Sequence, residues 1–219
     1  MKQLSLKLPQ RGGKRKGAGR KPAAVRPKES HKAREQFDRT AAVFVTLRVA
    51  VGVWNLRSRR CFSAVEQSFA SARDRFGLRI IEFSVLGNQL HLLVEADSSV
   101  ALSRGMQGLA VRIAKALNRV MRRHGKVFDD HYHSRVLRTP TQLVNAIAYV
   151  VGNHEHHYGP SRGVDPYSSL SCDRARLLTR PTTWLIRVGW RRARTRSPWV
   201  ERWLSAWVET QVDRVLTAA

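Results

Sequence analysis

Two apolar runs, Leu78–Leu86 and Gln89–Glu95, are separated only by Gly87-Asn88. A two-residue link of this type is a strong hairpin signal, because both residues tolerate the positive φ that a tight, twisted turn requires. The two runs are therefore expected to lie side by side as antiparallel strands. Side chains alternate across a strand, so Leu90, Leu92 and Val94 share one face while Gln89 and His91 share the other.

The rest of the chain supplies partners for this hairpin. Val43–Val49 alternates and is β-branched, which predicts another strand. Cys61 to Phe76 predicts a helix with Val65, Phe69, Ala72 and Phe76 on one stripe and Ser63 as N-cap. A long helix is expected from about Ala101 to His124, capped by Ser98 or Ser99, with Met106, Leu109, Ile113, Leu117 and Val120 on its apolar stripe and Gly125 ending it. Val127 to Leu137 reads as extended, and Pro140-Thr141 opens a further helix running to about His154. The order β-α-β-β-α-β-α implies an α+β, ferredoxin-like sandwich, one antiparallel sheet with helices on one face.

Around this unit, occupying about residues 40–160, the composition changes. Residues 1 to about 39 include Arg11-Gly-Gly-Lys-Arg-Lys-Gly-Ala-Gly-Arg-Lys-Pro22, a Gly- and Lys/Arg-rich stretch that reads as a disordered basic tail. Lys14, Arg15, Lys16, Arg20 and Lys21 suit it to hold DNA phosphates, and Gly19-Arg20-Lys21-Pro22 loosely resembles an AT-hook. Residues 161–219 form a Trp/Arg-rich C-terminal extension. In it Trp199, Trp203 and Trp207 follow helical spacing, which predicts packing, and Arg191, Arg192, Arg194 and Arg196 form a basic run. Stacking of a base on one exposed Trp is the functional reading of this region.

Charge speaks to partners. Forty Lys and Arg stand against 16 Asp and Glu, a formal +24. Such a field attracts polyanions. The charge runs through the whole chain and ends in no amphipathic basic helix, which favours nucleic acid over a membrane surface. No apolar run is long enough to span a bilayer. Cys61 and Cys172 fit no metal or redox spacing and read as reduced thiols of a cytoplasmic protein. Within the long helix Arg104, Arg112, Lys115, Arg119, Arg122 and Arg123 decorate the positions outside the apolar stripe, and Arg135 follows in the next segment. These are the candidate DNA-binding cations of the folded part.

On the helix after Pro140, Leu143, Ile147, Val150 and Val151 form the apolar stripe. Tyr149 and Asn153, at i and i+4, stack on a side roughly opposite it. A phenol and a carboxamide are thus expected together, away from that helix's core contacts. Taken alone, this is an ordinary pattern of a partly exposed Tyr with Asn near a helix end. His131-Tyr-His133 fits a His-x-His pattern literally, but it follows the basic helix and has an aromatic centre, so it reads as DNA-facing or structural. His154, His156 and His157 form another cluster, with no cysteine at finger spacing.

Leu86-Gly-Asn-Gln-Leu-His-Leu-Leu-Val94 resembles the His-hydrophobe-His strand of the one-tyrosine transposases, a group that includes the REP-associated tyrosine transposases. Ala148-Tyr-Val-Val-Gly-Asn153 is similar to that family's Tyr-x-x-x-Asn helix. Val127-Phe-Asp-Asp-His-Tyr-His-Ser-Arg135 and Leu102-Ser-Arg-Gly-Met-Gln-Gly-Leu109 resemble the segments between. The resemblance covers about Ala42 to Tyr158. It implies a nucleophile at Tyr149, metal ligands at Gln89, His91 and Asn153, and Mg²⁺ or Mn²⁺ as cofactor. It also implies single-stranded or hairpin DNA as substrate, cut and rejoined through a covalent 5′-phosphotyrosine, in a bacterial, nucleoid-associated protein acting as monomer or homodimer. This chain departs from the pattern at one point, since Gln89 stands where the family has the first His. An amide oxygen is a neutral donor suited to hard ions. The departure implies weaker metal binding and keeps open a second reading, a DNA-binding module of the same fold with a crippled site. A third, RNA binding on the open sheet, lacks the aromatics that such sheets carry on their central strands.

Overall fold

The computed structural model describes residues 34–73, 75–160, 163–171, 177–194 and 197–216. Lys14, Arg15, Lys16, Arg20 and Lys21, the AT-hook-like stretch, Cys172 and Arg196 lie outside the described residues.

Four strands, β1 (Ala41–Arg48), β2 (Leu78–Val85), β3 (Gln89–Ala96) and β4 (His133–Leu137), form one antiparallel sheet in the order β2-β3-β1-β4. With α1 (Arg59–Ala72) and α2 (Ser99–Val120) as crossovers, this is the ferredoxin-like arrangement. The Gly87-Asn88 hairpin is present, closed by Leu86 N–H on the Gln89 carbonyl at 2.9 Å. Only His133–Leu137 of the extended Val127–Leu137 segment is strand. Upstream, an isolated bridge joins Val49 to Phe128.

Helix boundaries differ from the sequence reading in informative ways. The cap of α1 is Ser58, whose hydroxyl accepts from Cys61 N–H, and the helix accordingly starts before Ser63. Ser98 caps α2 by accepting from Ala101 N–H at 3.1 Å. This helix stops at Val120, before Gly125, because Arg122 already takes a left-handed φ of 51°. The helix after Pro140 is interrupted. α3 spans Pro140–Val151, Gly152 carries φ −94° and ψ 8°, and a separate turn, α4 (Asn153–Tyr158), follows.

The sheet is covered on both faces, where the sequence reading placed helices on one. Val43, Val45, Leu47, Leu90, Leu92 and Val94 enter a core with Phe69 of α1 and Met106, Leu109 and Ile113 of α2. Leu93, Ile81 and Ala42 enter a second core with Leu143, Ile147 and Val150 of α3 and with Trp203, Leu204 and Trp207 of α6 (Pro198–Leu216). A register shift between Ile80 and Glu82 helps to build this second core. It turns Ile81 and Glu82 together toward α3 and α6, while Phe83 returns to the first core.

Two buried carboxylates fasten the C-terminal region to the strands. Glu82 on β2 accepts from Trp207 Nε1 at 2.8 Å, Gln211 Nε2 at 3.0 Å and the Ser169 hydroxyl. Glu95 on β3 accepts the backbone N–H groups of Thr182 and Thr183, at 2.7 and 2.8 Å, and both threonine hydroxyls. Burial pushes the Glu95 carboxyl up, but those hydrogen bonds outweigh it and leave it below its usual value. The edge of β2 is covered too, with Ser84 bridged to Ser168 and Thr179 N–H on the Ile80 carbonyl. No helix among the described residues is long and apolar enough to cross a membrane.

Candidate active site

The β1–β3 register sets Thr46 opposite His91, the β2–β3 register sets Ser84 opposite His91, and the β1–β4 register sets Thr46 opposite His133. Directly opposed residues share a face. Ser84, His91, Thr46 and His133 therefore form a polar row across all four strands, on the face turned to α3. The neighbouring row carries Phe44 and, opposite it on β4, exposed Arg135. Gln89 lies on the other side of His91, half-buried and opposite Arg48.

His91 is only 2% exposed. Its ring is stacked on Phe44, with centroids 6.0 Å apart and planes 12° apart. Its Nδ1 lies 3.2 Å from the Thr46 hydroxyl, and its Nε2 has no hydrogen-bond partner. If Nδ1–H donates to Thr46 Oγ1, the Nε2 lone pair is free to bind a ligand. Burial, and after it the charge of His157, lowers the imidazole from 6.5 to about 4, so it is neutral at physiological pH.

Tyr149 comes down from α3 onto this stack. Its ring meets His91 at 5.4 Å and Phe44 at 5.7 Å, edge-on in both cases. Burial raises its hydroxyl above the usual phenol value, which keeps it protonated. His156 of α4 leans on the other side of the Tyr149 ring at 5.5 Å and reaches Trp199 of α6 at 5.9 Å. Asn153 begins α4 and is fully buried, with neither Oδ1 nor Nδ2 partnered. Tyr149 and Asn153 do not project away from the core, as the helical wheel suggested. The sheet grips α3 from one side and α6 from another, which leaves its solvent face to Asn145 rather than to Tyr149 and Asn153.

Ser84 Oγ, His91 Nε2, both polar atoms of the Asn153 amide and Trp203 Nε1 are all buried without partners. Each such atom costs about 1–3 kcal/mol if it stays unsatisfied. All lie in the layer of α3 and α6, and His91 among them touches half-buried Tyr149, which makes this layer the candidate site. Among the described residues there is no group of three or more His, Cys, Asp or Glu placed to hold a metal. Any ion here would be held by a mixed set of imidazole and amide donors.

The comparisons with known proteins bear on fold. No family model matches the chain, and no curated protein matches it. Among solved structures, one described as a REP-associated tyrosine transposase bound to a REP hairpin is similar, with a TM-score of 0.54 at 15% identity, over 69% of this chain and 88% of that one. The chain has a transposase-like fold. A protein of Deinococcus radiodurans R1 assigned to the transposases matches at a TM-score of 0.38 and 11% identity, over 53% of this chain and 91% of that one, a likeness too slight to carry an argument.

The structure thus brings Gln89, His91 and Tyr149 into one layer, with Asn153 just beyond the end of α3. It does not bring the α2 cations there. Arg104, Lys115, Arg119 and Arg122 are exposed and Arg112 and Arg123 half-buried, all on the opposite face of the sheet. Arg123 is tied down by the carbonyls of Gly52 and Lys126. Phe44, Thr46 and Ser84 were missed at the sequence level. For Phe44 and Thr46 a signal existed, since alternation along β1 puts both on one face. His156 was noted as one of a histidine cluster, but its contact with Tyr149 depends on the break at Gly152.

Proposed function

We propose that this protein binds single-stranded or hairpin DNA and acts on it as a metal-dependent strand transferase, with Tyr149 as nucleophile. The observation that carries this is the Tyr149 ring packed over a neutral His91 whose Nε2 is open, on a sheet of transposase-like fold. In the proposed step the Tyr149 oxygen forms a bond to phosphorus while the bond to the 3′-oxygen breaks. The phenol proton passes to solvent and the departing 3′-oxygen takes a proton from water. The 5′-phosphotyrosine left behind keeps the strand activated for rejoining.

The residues present fit a hard divalent ion. His91 Nε2 and Asn153 Oδ1 are unpartnered, and Gln89 precedes His91 by two residues on the same face of β3. These three would hold Mg²⁺ or Mn²⁺, which when bound supplies Lewis-acid polarisation of the phosphate oxygens. Phe44 and Thr46 fix the His91 ring, and the packing of α3 on the sheet fixes Tyr149 above it. Exposed Arg135 is the cation of the folded part that stands beside this layer on β4.

One observation favours a second reading. The donor set contains two neutral amides and no carboxylate, so metal binding is weak and the same fold would hold DNA without cutting it. RNA binding on an open sheet is disfavoured because α3 and α6 cover the face it would need.

The test is to incubate the protein with end-labelled hairpin DNA and Mn²⁺ and resolve the products on a denaturing gel. A covalent adduct is expected, lost in Tyr149→Phe with DNA affinity unchanged and increased in Gln89→His. Cleavage persisting in Tyr149→Phe would remove Tyr149 as the nucleophile. Intact hairpin binding with no cleavage, in both the native protein and Gln89→His, would establish the binding module instead.

A further inference from the structure

The basic run that the sequence set beside the C-terminal tryptophans has a definite place in the fold. Thr182 and Thr183, held by Glu95, lead into α5 (Trp184–Arg187) and a 3-10 turn (Gly189–Arg192). Ile186 is buried in the second core and Trp190 packs edge-on against Trp207 at 5.7 Å. The segment is thereby nailed down from beneath. Its outward side carries Trp184, 52% exposed, with Arg187, Arg191, Arg192 and Arg194 also exposed.

The Trp184 ring rests on the backbone of Gly189, where a Cβ would come within 2.7 Å of the indole. It is therefore supported, and its exposure is not that of a loose side chain. The Arg192 guanidinium lies 5.3 Å from its centroid. From Leu177 to Trp199 the sequence has no Asp or Glu, so the segment itself carries only positive charge. This surface belongs to the layer of α3, the layer that holds Tyr149, whereas the α2 cations lie across the sheet.

We infer that Trp184 and the surrounding arginines form a stacking platform for an unpaired stretch of nucleic acid, separate from the Tyr149 site. An indole face takes any base that is free of its own helical stack, and flanking guanidinium groups hold the adjoining phosphates. The inference rests on the nucleic-acid partner proposed above but not on Tyr149 as nucleophile. Duplex DNA would satisfy the arginines and leave the indole idle, which is why the single strand is the better fit.

The test uses the full chain carrying Tyr149→Phe, so that no covalent step contributes. Binding is measured by anisotropy to a labelled oligothymidylate and to an abasic oligomer with the same number of phosphates. Trp184→Leu, which keeps an apolar group on Gly189 but no ring, is expected to weaken oligothymidylate binding by about 5- to 100-fold. It should leave the abasic oligomer unchanged, and Trp184→Phe should recover most of the loss. Arg191→Gln with Arg192→Gln should lower the slope of log K against log salt by about 1 to 2 for both oligomers. Equal effects of Trp184→Leu on the two oligomers, or none on either, would overturn the platform while leaving the Tyr149 reading intact. Competition by polyglutamate that is lost in Trp184→Leu would also overturn it, by making this a surface for an acidic protein. Failure of the parent chain to bind either oligomer would overturn both proposals together.

Discussion

Unfolding the native protein and His91→Phe in urea from about pH 8 down to about pH 4 isolates the proton linkage of the buried imidazole. His91 is 2% exposed, and burial followed by the His157 charge lowers it from 6.5 to about 4. A depressed base binds fewer protons folded than unfolded. It therefore adds no pH dependence above 6.5, and stability is lost as the pH falls from there toward the folded value. At about 1.4 kcal/mol for each pH unit, the full loss is about 3 kcal/mol. Phenylalanine keeps the stack on Phe44 and removes the titration. It also strands the Thr46 hydroxyl, an offset that does not vary with pH. Carboxylates common to both proteins cancel in the difference. The expected result is that native stability falls relative to His91→Phe by up to about 3 kcal/mol as the pH drops through this window. A flat difference curve, or one that rises toward acid, would refute the burial argument and with it the neutral, open Nε2 on which the site depends.

Gly152→Ala should destabilise the fold by about 1–3 kcal/mol in the same assay, because the added Cβ would lie 2.5 Å from Trp203 Nε1. The backbone at φ −94° admits alanine, so the cost is one of space, and pairing the change with Trp203→Leu should cost less than the two separately. Additive costs would disprove the contact. Glu95→Gln should cost on the order of 3 kcal/mol at neutral pH, since an amide cannot accept from every donor that Thr182, Thr183 and Arg79 present. The Glu95 pKa is depressed, so this advantage over Gln holds above the ordinary carboxyl value of 4.5 and fades as pH falls through the lower, folded value. A difference that does not shrink in acid would show that Glu95 is not held as an anion.

The ferredoxin-like unit was readable because each of its parts has a local signature. Gly87-Asn88 fixes the hairpin, and the alternation of Leu90, Leu92 and Val94 fixes which face meets α1 and α2. The second face was readable only in part. The apolar stripe of α3 and the packing of Trp203 and Trp207 were expected, but not that both would close over Leu93 and Ile81, which lie far back along the chain, nor the bulge that turns Ile81 and Glu82 toward them. The same gap explains the misplaced polar side of α3. A helical wheel ranks positions around one apolar stripe, and it cannot represent a helix held between a sheet and a second helix. His91 and Tyr149 were singled out from their motifs, but the residues that seat them come from two other elements, Phe44 and Thr46 from β1 and His156 from α4. The α2 cations show the converse, since helical spacing reveals that they are exposed but not that they face away from Tyr149.

Glu82 and Glu95 take most of their hydrogen bonds from Ser169, Thr182, Thr183, Trp207 and Gln211, all of them late in the chain. A ribosome completes every strand of the sheet by Leu137, yet at that moment these two carboxylates and the apolar face between them have nothing to close over them. Most of the first core can form while the chain is still being made, with Leu177 and Leu178 joining it later, but the second must wait until nearly all of α6 has left the exit tunnel. Until then the unfinished product shows a greasy sheet face to the cell, with Tyr149 not yet seated. Folding of this protein is therefore expected to be late and cooperative at its C-terminal end, where the last helix closes over Glu82.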